Sequence, residues 1–187
     1  MKDVVEVQEV NQGKLMMGFK TDIAPDGDDY YKMLVFNSVF GSGTHSKLFM
    51  NVREKLSLAY YAYSRLCRHK SVITVGSGIE FENFDKAKGE ILFQLDEIRK
   101  GNVTDFEMEA SVKSLINAYK SMEDEPSRIV TAKSSNAVLG TDTPVEEIIE
   151  KIKAVTKEDV TEIILNVKNI ASVVAATAES ANELALS

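Results

Sequence analysis

The rhythm of apolar and polar positions changes along this chain, and each change predicts an element. Val5, Val7 and Val10 lie among Glu6, Gln8 and Glu9, then Asn11-Gln12-Gly13 interrupts, and the run Leu15-Met16-Met17-Gly18-Phe19 predicts a buried strand after a strand edge and a turn. Pro25, Gly27 and the acids Asp26, Asp28 and Asp29 precede a block over 30–40 that is apolar nearly all round. That order predicts a helix with capping residues and negative charge at its N-terminus, buried on most of its surface. Gly41-Ser42-Gly43 stops it, and Thr44 or Ser46 is placed to cap a second helix whose inward face is Leu48, Phe49, Val52 and Leu56. Residues 60–78 alternate around Arg68-His69-Lys70, which predicts a hairpin of two strands, 60–67 and 71–78.

The remainder is mostly helical. Phe84, Ala87, Ile91, Leu95 and Ile98 mark one amphipathic helix ended by Gly101, and Thr104 with Glu107 forms a capping box for the next, which carries Met108, Val112, Leu115, Ile116 and Tyr119. A helix over 125–139 ends at Gly140, a short one starts at Thr143-Pro144, another starts at Thr156 with a capping-type signature, and 170–177 reads as a last strand. Strands at both ends of a helix-rich chain must pair non-locally. The expected class is α+β: a two-layer sandwich, a mostly antiparallel sheet with helices packed on one face, and one domain over 1–187.

Charge and composition narrow the partners. The net charge is −7 and the one basic cluster, Arg65, Arg68, His69 and Lys70, is short, so no nucleic acid is expected as partner. No apolar run reaches the roughly 18 residues of a membrane span, the first residues lack a signal peptide's apolar core, and no membrane role is expected. Cys67 is the only cysteine, which excludes an internal disulfide and fits a cytoplasmic setting.

Self-sufficient catalysis has little support. His45 and His69 are the only histidines, lie far apart and lack any HxxEH context, so neither reads as a metal ligand. Gly41-x-Gly43 lacks the Lys-Ser/Thr of a phosphate loop, the three aspartates lack calcium-loop spacing, and no serine lies in a nucleophile elbow. Cys67 reads as a small core residue.

The run FGSGTHSKLFMNVREKLSLAYYAYS, residues 40–64, resembles the signature of the C-terminal, non-zinc half of the M16 metallopeptidases, the insulinase, pitrilysin and mitochondrial processing peptidase family. Val52 stands for a common Leu and Ser57 for a common Gly. The resemblance extends to 12–21, to 78–87 and to 104–120. It implies the LuxS/MPP-like metallohydrolase fold of an M16 half-domain, and a helper half that closes a peptide chamber. Arg53 and Tyr60 take the positions of the residues that reach the bound peptide, where a guanidinium and a phenol stabilise charge developing on a carbonyl. No cofactor is expected on this chain. Zinc is expected on a complementary HxxEH-bearing domain or subunit, with a peptide as substrate and a homodimer as a further arrangement.

Read without the resemblance, Arg53 is a surface cation for a carboxylate and Tyr60 a strand-start ring with its hydroxyl at the edge. Tyr61 is expected on the face opposite Tyr60 and Tyr63. The rival function is a degenerate M16-like scaffold that holds a peptide or a partner without any peptidase role.

Overall fold

The computed structural model describes residues 2–7, 12–122 and 124–176. Val10, Asn11 and Thr177, which bear on the first and last predicted strands, lie outside the described residues. Five strands are described: β1 (Lys2–Val7), β2 (Gly13–Thr21), β3 (Ala59–Cys67), β4 (Val72–Ile79) and β5 (Val167–Ala176). They form one open sheet in the order β1-β5-β2-β4-β3. The β5–β2, β2–β4 and β4–β3 pairs are antiparallel, and β1–β5 is parallel.

Six α-helices are described: α1 (Asp29–Gly41), α2 (Phe84–Arg99), α3 (Asp105–Met122), α4 (Pro126–Leu139), α5 (Val145–Lys153) and α6 (Lys157–Ile163). The strict alternation of β2 explains which side they take. Leu15, Met17, Phe19 and Thr21 are buried while Lys14, Met16 and Lys20 are exposed, so one face meets helices and the other is open. Phe19 meets Phe40 edge to face at 6.4 Å, and Phe36 stacks on Phe40 at 5.6 Å, which locks α1 onto the sheet. The all-round apolar helix is buried as its pattern predicts, down to Asn37 and Ser38.

Caps follow the sequence at two helices and depart from it at one. Thr104 and Thr156 close capping boxes with Glu107 and Asp159. At α1 no side chain caps the N-terminus; Asp28 instead pairs with Lys151 at 2.8 Å and Asp29 with Lys32 at 3.4 Å. The acids therefore act through charge alone, at that end and across to α5.

Gly41 lies at a close approach between layers. A Cβ there would lie 2.6 Å from the Ser64 backbone N and 2.8 Å from Leu48 Cδ1. Because backbone cannot swing aside as a side-chain tip can, Gly41→Ala is expected to destabilise by about 2 kcal/mol. A urea melt that leaves the midpoint unchanged would contradict this packing.

Candidate functional site

Arg53 lies in Leu48–Lys55, which winds as a π-helix and not as the α-helix its apolar spacing predicts. Leu48 and Val52 are buried, but Leu56, expected on the same face, is 45 % exposed. The wider winding carries it out of line: Leu56 N–H donates to Asn51 O, five residues back, at 3.1 Å. Ser46 supplies the expected cap, its Oγ accepting from Phe49 N–H at 3.4 Å. The segment ends where Ser57 N–H donates to Arg53 O and Ser57 takes φ 51, the left-handed region that favours glycine. The glycine common in the family at this position has that physical basis.

Arg53 is exposed, its guanidinium 4.7 Å from the centroid of the Phe49 ring and its Nε 3.5 Å from Glu54 Oε1. Tyr60 is 57 % exposed, so its ring is outside the core. Register explains this. Ala59 pairs with Ile79 and Tyr61 with Gly78, which leaves Tyr60 as the extra residue of a bulge.

Tyr61 and Tyr63 share one face and stack at 6.0 Å, not the opposite faces expected of them, because residues two apart in a regular strand point the same way. Their rings lie across Gly78 and Gly76, where an added Cβ would come within 2.4 Å and 2.6 Å of them. On the other face Ala62 and Ser64 are buried.

The Tyr60 hydroxyl donates to Glu80 Oε1. This hydrogen bond, with the negative charge of Glu80 behind it, raises the phenol above its ordinary range and keeps it protonated. Glu80 went unremarked in the sequence; the only available signal was its place directly after β4. Among the described residues no hydrogen bond, ion pair or ring contact joins Arg53 to Tyr60, and each has its own carboxylate. Together they present two positively polarised donors on open surface at the start of β3.

The other candidates resolve into architecture. His45 is half-buried, its Nε2 3.0 Å from Ser111 Oγ and 3.3 Å from Ser38 Oγ. Exposed His69 lies 2.9 Å from Ser135 Oγ. Cys67 is half-buried at the end of an edge strand, short of the core position its pattern suggested. Among the described residues no group of three or more His, Cys, Asp or Glu side chains could hold a metal ion. No described helix is long and apolar enough to cross a membrane.

Burial lowers the His45 imidazole below its ordinary value of 6.5, against a smaller opposing pull from Glu107. The unfolded chain therefore binds the proton first as pH falls. The stability due to neutral His45 is complete above about 6.5 and declines as pH drops below it. His45→Gln is expected to show a smaller fall in urea midpoint from pH 7.5 to 5.5 than the parent chain. Equal falls would remove His45 from the acid response.

The open, mostly antiparallel sheet with helices on one face is the two-layer α+β fold expected of an M16 half-domain. The family model described as Peptidase M16 inactive domain matches residues 2–115. The chain is 36 % identical over 159 residues to "Probable inactive metalloprotease YmfF" of Bacillus subtilis (strain 168), covering 85 % of this chain and 37 % of that protein. It is 27 % identical over 156 residues to "Uncharacterized zinc protease YmxG" of the same organism, covering 82 % of this chain and 38 % of that one. The crystal structure of a conserved protein from Enterococcus faecalis V583 matches at TM-score 0.88 and 32 % identity, over 95 % of this chain and 42 % of the other. The chain thus belongs to the M16 peptidase family, through its inactive domain, and spans well under half the length of these relatives.

Proposed function

We propose that this chain is the helper half of an M16-type zinc peptidase, closing a peptide chamber and orienting substrate for a zinc-bearing half located elsewhere. The observation that carries the reading is the exposed pair Arg53 and Tyr60, held on two elements joined by the left-handed turn at Ser57. Neither side chain is used by the core. Both are hydrogen-bond donors, the chemistry a peptide carbonyl calls for, and charge-assisted donation from Arg53 is the stronger of the two. Tyr60 acts as a neutral donor, transferring its hydrogen bond from Glu80 to the substrate. Zinc belongs to the complementary half, and this chain's part is binding and orientation. A cytoplasmic setting belongs to the same reading.

The relative named as an inactive metalloprotease favours a second reading, a scaffold that holds a partner without any peptide hydrolysis. One experiment separates them. In a mixture of this chain with an HxxEH-bearing M16 chain that cleaves peptides, Arg53→Ala and Tyr60→Phe are each expected to lower kcat/KM by about tenfold. Unchanged rates in both variants, with the complex intact by gel filtration, would leave only scaffolding.

A further inference from the structure

Far from Arg53 and Tyr60, a cavity of about 610 Å³ opens between α4 and the body of the fold. That size is typical of small-molecule sites. Its position follows from how α4 packs. Ile129, Ala132, Asn136 and Leu139 recur at helical spacing and are only half-buried, and no residue of α4 is fully buried. The inward face of α4 looks across a gap instead of into a core.

One part of the wall is apolar and aromatic, with Tyr30, Tyr119, Met122, Ile129 and Ala132 among its residues, and Arg68 lines the same cavity. Arg68 is fixed twice. Its guanidinium lies 3.9 Å from the centroid of the Tyr30 ring, and its Nε donates to Pro25 O at 2.6 Å. Two other cations line the cavity, but each is already paired: Arg128 with Glu125 at 3.2 Å and Lys133 with Asp142 at 3.1 Å. Among the described residues no carboxylate lies within ion-pair distance of Arg68, and its two terminal nitrogens remain for a ligand. Burial raises the Tyr30 and Tyr119 hydroxyls above the ordinary phenol range, so both rings are neutral walls. In a chain of net charge −7, a half-buried guanidinium without a carboxylate is a local inversion of sign.

We propose that this cavity binds a small amphipathic monocarboxylate, its carboxylate on Arg68 and its apolar body between Tyr30, Tyr119 and the inner face of α4. The two terminal nitrogens of a planar guanidinium match the two oxygens of a planar carboxylate. The carboxylate could belong to an alkyl chain or to the end of a peptide, and the two are distinguishable.

Calorimetric titration of the 187-residue chain with sodium decanoate and with N-acetylphenylalanine tests this, each against its neutral counterpart, decanol and N-acetylphenylalaninamide. At least one carboxylate is expected to saturate at one site and to bind about tenfold or more tightly than its counterpart. The tighter of the two assigns the source. Arg68→Met should erase that preference. Ala132→Trp fills the cavity from a helix the core does not depend on, and should abolish binding with far-UV circular dichroism unchanged, so the test survives if Arg68→Met fails to fold. The proposal falls if neither carboxylate saturates, if the neutral compounds bind as well, or if folded Ala132→Trp still binds.

Discussion

Phe40→Ala is expected to cost about 4 kcal/mol of unfolding free energy, within the range for truncating a fully buried aromatic. Phe40 is 0 % exposed, and its ring meets both Phe36 within α1 and Phe19 on β2. Its loss removes apolar burial and two ring contacts at once. It also leaves a hole the sheet cannot close, because Gly41 already holds the next residue against the β3 backbone. Urea denaturation at 25 °C gives the measurement, with Met50→Ala as the exposed control, expected within about 0.5 kcal/mol of the parent. A loss below about 1.5 kcal/mol for Phe40→Ala would mean that the α1–sheet interface is looser than described.

Lys47→Ala is expected to cost about 3 kcal/mol. Lys47 Nζ lies 2.9 Å from Glu107 Oε1, with the two side chains only 8 % and 14 % exposed. Removing one member of a buried pair strands the other charge, which typically costs about 3–5 kcal/mol. The lower end applies because Glu107 keeps work for its other oxygen: Oε2 accepts from Thr104 N–H at 2.8 Å and from Thr104 Oγ1 at 3.0 Å. Lys47→Met with Glu107→Gln should recover a large part of the loss, since no charge is then stranded. A double variant as unstable as Lys47→Ala alone would assign the effect to the lysine stem and its packing.

That pair shows where sequence reading succeeds and where it stops. The Thr104–Glu107 box is legible because both ends of its hydrogen bonds lie within four residues, and the same holds for Thr156–Asp159 and for the 68–70 turn of the β3–β4 hairpin. Lys47 is sixty residues from Glu107, and no local pattern announces such a partner. The family signature singled out Arg53 and Tyr60 as candidates and gave nothing of their setting. Leu48, Phe49, Val52 and Leu56 fit an α-helical face equally well, because a period of 3.6 and a slightly wider one diverge only over several turns, and Leu56 is where they part. The extra residue at Tyr60 has no local signal, whereas the shared face of Tyr61 and Tyr63 follows from their spacing of two. The antiparallel bulk of the sheet followed from its hairpin, whereas the parallel β1–β5 pair rests on strands more than 150 residues apart.

The place of β5 between β1 and β2 has a bearing on synthesis. Strands β2, β4 and β3 are contiguous in the sheet and can assemble once residue 79 has emerged. Strand β1 has β5 as its only neighbour, so of the five described strands the first made is left unpaired until the last is made. During that interval the chain exposes β1 and the uncovered edge of β2, the surfaces on which a nascent-chain chaperone or an aggregating neighbour would act.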